Sequence, residues 1–215
     1  MALPTLPYEF DNKMIAQTRG DNTPRVRVYA FKEVAVVIGR GGHQDLELHQ
    51  ENIAADGVPL YKRAGGGCSV VLDPGNVIVS LALPLQGIGG ITRAFNGISD
   101  WLIAALATCG VKGVMQNGVS DLVLSELKIG GACLHRSRGY LYYCATLLCE
   151  QNMQLVDRYL QYPPREPEYR QGRTHSAFMG SLKTLCGIYS DDNFVHEIKS
   201  ELDNNLPKLS RFCDK

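Results

Sequence analysis

The amino-acid sequence predicts an α+β fold, a mixed or antiparallel sheet with helices packed on it. Three observations carry that expectation. Short β-branched runs crowd the first third of the chain and return in its second half. One long segment between them repeats apolar residues with helical spacing. The last third is mostly helical in pattern. Strands, one long helix, more strands and then helices suit a sheet with helices on one face, not alternating βαβ units.

The elements follow in order. Residues 1–24 are polar and broken by Pro4, Pro7 and Pro24, with a short helix expected around Lys13–Thr18. RVRVYAF (25–31) alternates as a half-buried strand does, and VAVVIGRGG (34–42) is a continuous run suited to a buried one. QDLELHQENIAADG (44–57) predicts one helix closed by Gly57. VPLYKR (58–63) and CSVVL (68–72) predict two strands flanking three glycines, and NVIVSLALPL (76–85) a third. In residues 89–110 the stripe Ile91, Phe95, Ile98, Leu102, Ala105 and Leu106 marks a helix that Gly110 ends. DLVL (121–124), ELKIGGACLHR (126–136) and GYLYYCATLLCE (139–150) read as strands, the last two joined by a hairpin through residues 136–139. MQLVDRYL (153–160) is a short helix. YPPREPEYRQGR (162–173) is a solvated surface loop whose Arg165, Arg170 and Arg173 suit an acidic partner surface. DDNFVHEIKSEL (191–202) is amphipathic, with Phe194, Val195, Ile198 and Leu202 inward.

Bulk numbers narrow the function. At 215 residues and 45% hydrophobic the chain can bury a sizeable core. Lys plus Arg equals Asp plus Glu, 22 each, so no global field favours nucleic acid or an anionic membrane. No apolar run is long enough to span a bilayer, and the N-terminus lacks a signal-peptide pattern, which predicts a cytoplasmic protein. The seven cysteines have no CxxC spacing and no completing His set, and read as free thiols in a reducing compartment, mostly buried.

Two stretches carry chemistry. In KRAGGGCSVVLDPGN (62–76), Gly65, Gly66 and Gly67 let backbone amides approach a ligand closely, and successive amides form an anion-binding concavity. Lys62 and Arg63 add cations beside it. The stretch is neither a Walker A loop nor a GxGxxG opening a helix. Glycines serving only a wide hairpin are the bland alternative. In LKIGGA (127–132), small residues follow Lys128, leaving open space beside an ammonium able to meet a phosphate or an oxyanion. The bland alternative there is a solvent-facing lysine.

Together these pieces resemble the lipoate–protein ligase A family, within the broader group of lipoate ligases, octanoyltransferases and biotin ligases. The resemblance runs from about Arg25 to Leu182. It rests on RVYAF and VAVVIGRG, on the basic pair, glycines, Cys68, Ser69, Val70, Asp73, Gly75 and Asn76, on SDLVL, on Lys128, Ile129, Gly131 and Ala132, and on YYCATLL. It implies a class II synthetase/biotin-ligase-like catalytic domain over residues 1–182, with 183–215 a short helical extension of it. It implies that ATP, with Mg2+, activates lipoate or octanoate as an acyl-adenylate, which then passes to a lysine of an acceptor lipoyl domain. By the same resemblance Lys128 is catalytic. Lys62 or Arg63 meets phosphate, and which one does so stays open. Residues Gly65–Val70 and Asn76 wrap the acyl-adenylate. Asp121 stands near ribose or magnesium, Gly130, Gly131 and Ala132 pack on the nucleotide, and Thr146 takes the position of the family's strand threonine.

Departures from the family pattern are local. Tyr143-Cys144-Ala145 stands where the family has His-His-Gly, and no His follows the glycines. Some members of the family need an accessory subunit, and this need is left open. So are a transferase working through a cysteine thioester and a degenerate member that only binds. The region VMQNGVS (114–120), where related transferases carry their cysteine, has none.

Overall fold

The computed structural model describes residues 2–85, 91–137 and 139–212. The chain starts with β1 (Leu6–Pro7), α1 (Asn12–Asp21), β2 (Arg25–Ala30) and β3 (Ala35–Ile38), then α2 (Gln44–Glu47), α3 (Gln50–Ala55), β4 (Leu60–Lys62), β5 (Val70–Leu72) and β6 (Asn76–Leu85). Helix α4 (Ile91–Thr108) leads to β7 (Met115–Asn117), β8 (Asp121–Leu124), β9 (Leu127–Ser137) and β10 (Gly139–Leu148). Then come α5 (Met153–Tyr159), α6 (His175–Phe178), α7 (Leu182–Cys186) and α8 (Asp192–Asn205), with 3-10 turns at Glu168–Arg170 and Leu206–Phe212.

The strands form two sheets rather than one. The larger is antiparallel, in the order β2-β6-β10-β9-β8-β7, and the smaller is mixed, β1-β4-β3-β5. Alternation along β6 explains how they stack. Val77, Val79, Leu81 and Leu83 face α4 and α8, where Phe95, Ile98, Leu102, Phe194, Ile198 and Leu202 complete the core. Ile78 faces the other way, against Ala35, Val37 and Leu72 of the small sheet. Ala82, farther along, meets Met14 of α1. The small sheet's outer face, Val36, Ile38, Leu60 and Val71, packs on Ile53 of α3 and on Val156 and Tyr159 of α5. Both faces of the large sheet are therefore covered, which corrects the expectation of helices on one face.

Other expectations change in detail. The helix predicted over 44–57 is two short helices. Leu48 is extended and bridges Leu160, and the His49 amide donates to the Tyr159 carbonyl at 2.9 Å, so tertiary pairing interrupts the helical pattern. Ile91 of the predicted α4 stripe is 44% exposed, while the rest of that stripe is buried. Two-residue β1, the edge strand β7 and helices α6 and α7 were not anticipated. Gly89 and Gly90 of the predicted helix and Arg138 of the predicted hairpin lie outside the described residues. No helix among the described residues is long and apolar enough to cross a membrane.

Between α1 and the large sheet lies a buried carboxylate. Asp11 is 2% exposed and accepts from Ser80 Oγ at 2.6 Å, Tyr142 Oη at 2.7 Å and Arg27 Nη1 at 3.1 Å. It joins β6, β10 and β2 to the start of the helix. Asp11→Ala leaves two buried hydroxyls without this partner. It is expected to lower the unfolding free energy by ~3 kcal/mol, since roughly 1–3 kcal/mol attaches to each buried group left unpaired. Urea denaturation at constant m-value checks this, and an unchanged midpoint would show that the network adds no stability.

Candidate active site

The side chains that face the small sheet from the large one fall in rows. Asp121, Gly131, Thr146, Ile78 and Tyr29 are successive cross-strand partners from β8 to β2. Cys133, Cys144, Ser80 and Arg27 form the adjacent row. Lys128 joins the first row through a β-bulge. The register shifts so that Leu122 pairs Gly130 while Val123 pairs Lys128, leaving Ile129 as the extra residue. Ile129 is fully buried in the helix-side core. A Cβ on Gly130 would point the same way, toward Leu122 and Leu147, and would lie 2.7 Å from the Thr146 carbonyl. Two consecutive residues on one face put Lys128 and Gly131 together on the other. A Cβ built on Gly131 would lie 3.3 Å from Lys128 Cε and 3.6 Å from Asp121 Oδ1.

Lys128 Nζ lies 2.7 Å from Asp121 Oδ1, with the lysine side chain 26% and the aspartate side chain 11% exposed. The other carboxylate oxygen accepts from Tyr169 Oη at 2.9 Å. Burial, and then the Asp121 charge, raise the Tyr169 hydroxyl well above its ordinary pKa, so it stays a donor. Tyr169 comes from the 162–173 loop and has no recognisable sequence signal. That loop roofs the site: the Cys68 thiol approaches the Arg165 carbonyl at 3.7 Å, and a Cβ on Gly118 would meet Pro167 at 3.4 Å. Its arginines are not all solvated. Arg170 is 4% exposed and stacks between Tyr162 and Phe178, and Arg173 donates to the carbonyls of Tyr169 and Arg170. Arg165 is exposed.

The glycine loop joins β4 to β5 and hangs over β9. Arg63 binds the loop itself. Its guanidinium donates to the carbonyls of Gly66 (3.1 and 2.9 Å), Cys68 (2.7 Å) and Val37 (3.2 Å). The Gly65 carbonyl accepts from the Arg40 amide at 2.9 Å. In a trans peptide the N–H points opposite to the preceding C=O. The amides of Gly66 and Gly67 are therefore turned away from Arg40 and Arg63. Among the described residues, no acceptor meets the amides of Gly65, Gly66, Gly67 or Cys68. Gly66 and Gly67 are exposed, and Gly67 has φ +94°, a conformation that favours glycine. Where the loop rejoins β5, Glu47 Oε2 accepts from the Ser69 amide and hydroxyl at 2.6 and 2.8 Å. Burial and the Glu47 charge raise the Cys68 thiol.

The predicted site residues thus divide. The structure brings Lys128, Asp121, Gly131 and Thr146 onto one face. It sets Gly65 of the overhanging loop against that face, with a Cβ there only 2.7 Å from Cys133 Sγ. Val70 lies half-buried at the layer between the sheets. Ala132 packs toward the helix-side core, as Gly130 does, so a ligand on the other face meets only their backbone. Lys62 is exposed on β4, where its carbonyl accepts from the Tyr8 amide. Asn76 is fully buried as the first residue of β6, where its side chain closes the preceding turn. It binds the Asp73 amide and Gln151, and Gln151 in turn donates to Asp73. No cluster of three His, Cys, Asp or Glu side chains suited to a metal occurs among the described residues. Glu47, Tyr169 and the adjacency of Cys133 to the loop were not legible from motif spacing.

Comparison with known proteins bears on the fold and on the family. The chain is 28% identical over 166 residues to lipoate–protein ligase 2 of Staphylococcus aureus, covering 77% of this chain and 48% of that protein. It is 23% identical to the octanoyltransferase LipM of Kyrpidia tusciae, over 87% of this chain and 77% of that protein. It spans about half the length of the curated lipoate ligases it matches. A crystal structure of lipoate-protein ligase A bound with ATP superposes with a TM-score of 0.74 at 17% identity, covering 98% of this chain and 86% of that one. At that identity the likeness concerns the fold. The match that decides the family is to the model of the lipoyl protein ligase A/B catalytic domain, which spans residues 4–204, and the chain belongs to that family.

Proposed function

We propose that this chain activates a lipoyl-type or octanoyl carboxylate with ATP and passes the acyl group to a lysine of an acceptor lipoyl domain. The observation that carries the reading is the placement of Lys128. Its ammonium is held by Asp121 on the face overhung by a loop whose Gly65, Gly66 and Gly67 amides meet no acceptor among the described residues. In the first step a carboxylate oxygen attacks the α-phosphorus and pyrophosphate leaves. In the second the acceptor amine attacks the acyl carbon, loses a proton and expels AMP. Negative charge gathers on the same few oxygens in both steps, so one fixed ammonium serves both. The loop amides bind the adenylate as a nest binds an anion. Lys62, exposed on β4, is the remaining cation at the start of the loop. Mg2+ would be held chiefly by the nucleotide phosphates, a common arrangement for that ion, because both Asp121 oxygens already serve Lys128 and Tyr169.

A second reading is an acyltransferase that carries the acyl group as a cysteine thioester. The octanoyltransferase relative, matched over most of its length, favours it. Lipoate-dependent exchange of labelled pyrophosphate into ATP separates the two. Exchange supports the ligase, whereas its absence together with an acylated cysteine by intact mass supports the transferase.

Two outcomes are expected of the ligase. Lys128→Ala loses exchange by about 100-fold or more, the scale of removing one charge-stabilising donor, with an unchanged Tm excluding misfolding. Arg63→Ala frees the loop carbonyls and raises the KM for ATP by about tenfold while moving kcat less, because the loop must then be ordered on binding. Equal kcat and KM in that variant would show that Arg63 does not preorganise the site.

A further inference from the structure

Two thiols on the face of the site have no role in acyl transfer as derived above. Cys133 of β9 and Cys144 of β10 are direct cross-strand partners. Cα atoms of such pairs lie about 4.5 or 5.5 Å apart, within the roughly 4.4–6.8 Å that a disulfide bridges. The cross-strand pairing sets the two side chains next to each other on one face of the sheet. Both face the small sheet. Cys133 abuts Gly65 of the glycine loop, and Cys144 Sγ lies 3.7 Å from Ser80 Oγ. Cys133 is two residues beyond Gly131, about 7 Å along the strand at ~3.3 Å per residue. A short alkyl chain anchored by its carboxylate at Lys128 spans that distance.

We propose that Cys133 and Cys144 form a thiol–disulfide exchange site for an acyl group bearing a 1,2-dithiolane ring. The proposal rests on the reading of the site as one for lipoyl-type groups. Cys133 attacks one ring sulfur, the ring S–S bond breaks and a mixed disulfide forms, and the released ring sulfur takes a proton. Cys144 then attacks Cys133 Sγ. The Cys133–Cys144 bond forms, the second ring sulfur leaves and is protonated. Two electrons and two protons pass from the protein thiols to the ring, which becomes a dithiol. The same steps run in reverse from an oxidised pair and a reduced acyl group.

The electrostatics divide the labour as such an exchange needs. The Cys133 thiol is shifted down, first by the hydrogen bond from Cys144 and then, against the cost of burial, by the Arg63 charge. Cys144 is raised well above its ordinary value by that same bond and by burial, and so remains the thiol that resolves. Cys68, Cys109, Cys149 and Cys186 are all raised, chiefly by burial.

The test starts from fully reduced protein, held without oxygen and incubated with lipoic acid and no ATP. Remaining thiols are then alkylated and the digest is mapped by mass spectrometry. The expected result is a disulfide joining the Cys133 and Cys144 peptides, with one dihydrolipoate released per bond. Octanoate, which lacks the ring, gives none. Cys133→Ser abolishes the reaction, and Cys144→Ser halts it at a mixed disulfide on Cys133. Cys133 reacts at least about tenfold faster than exposed Cys186, because a lowered pKa supplies more thiolate. Lipoate-dependent pyrophosphate exchange in a protein that forms no such disulfide would overturn the proposal and leave the ligase reading intact. A disulfide without exchange would sustain the proposal and remove the ligase. Neither result, a disulfide that forms equally with octanoate, or an acyl thioester on Cys133 would also overturn it.

Discussion

The structure depends on one strand being buried on both faces. Residues from Asn76 to Ala82 of β6 have no exposed surface, so each neighbour along the strand must be met by a different layer. Hydrophobic burial decides most of this. Val77, Val79 and Leu81 draw α4 and α8 to one side, and Ile78 draws the small sheet to the other. The exception is Ser80, whose hydroxyl would be costly in an apolar layer. Asp11 meets it, and the same carboxylate also collects Tyr142 and Arg27. One polar position in a buried strand thereby ties the N-terminal helix to the sheet.

The candidate site lies where the two sheets meet, and its precision comes from two local departures from regularity. The bulge at Ile129 breaks strict alternation, so a lysine and a glycine three residues apart share a face. The glycine loop departs differently. It leaves the small sheet after Lys62 and rejoins it at Val70, with Arg63 at one end and Glu47 at the other. Neither device requires a large cavity. Both set backbone and charge in fixed relation before any ligand arrives, as positioning catalysis requires.

Much of this was legible in the sequence because much of it is local. β6 matches its apolar run end to end, and α4 and α8 follow their stripes, since burial of one face is written into spacing. The glycines and Lys128 stood out in the sequence as candidates for chemistry, and the fold sets Gly65 and Lys128 at the same face. What stayed hidden depends on residues far apart in the chain. The helix over 44–57 breaks because Leu48 pairs with Leu160. The roles expected of Arg170 and Arg173 gave way to carbonyls of their own loop and to the rings of Tyr162 and Phe178. Asn76 went to a turn closed by Gln151, 75 residues away in sequence. Tyr169 reaches Asp121 across 48 residues, which no motif spacing encodes.

The attachment of Arg63 to its own loop has an entropic side. Glycines lose more backbone freedom on ordering than any other residue. A loop with three of them in a row would normally be floppy until a ligand held it. Here the guanidinium fastens the carbonyls of Val37, Gly66 and Cys68 as the chain folds. The ordering cost is charged to folding, where the packed sheets offset it, and not to the encounter with a substrate. The proposed binding surface behaves as a cast that has already set, and affinity there no longer has to include the work of making it.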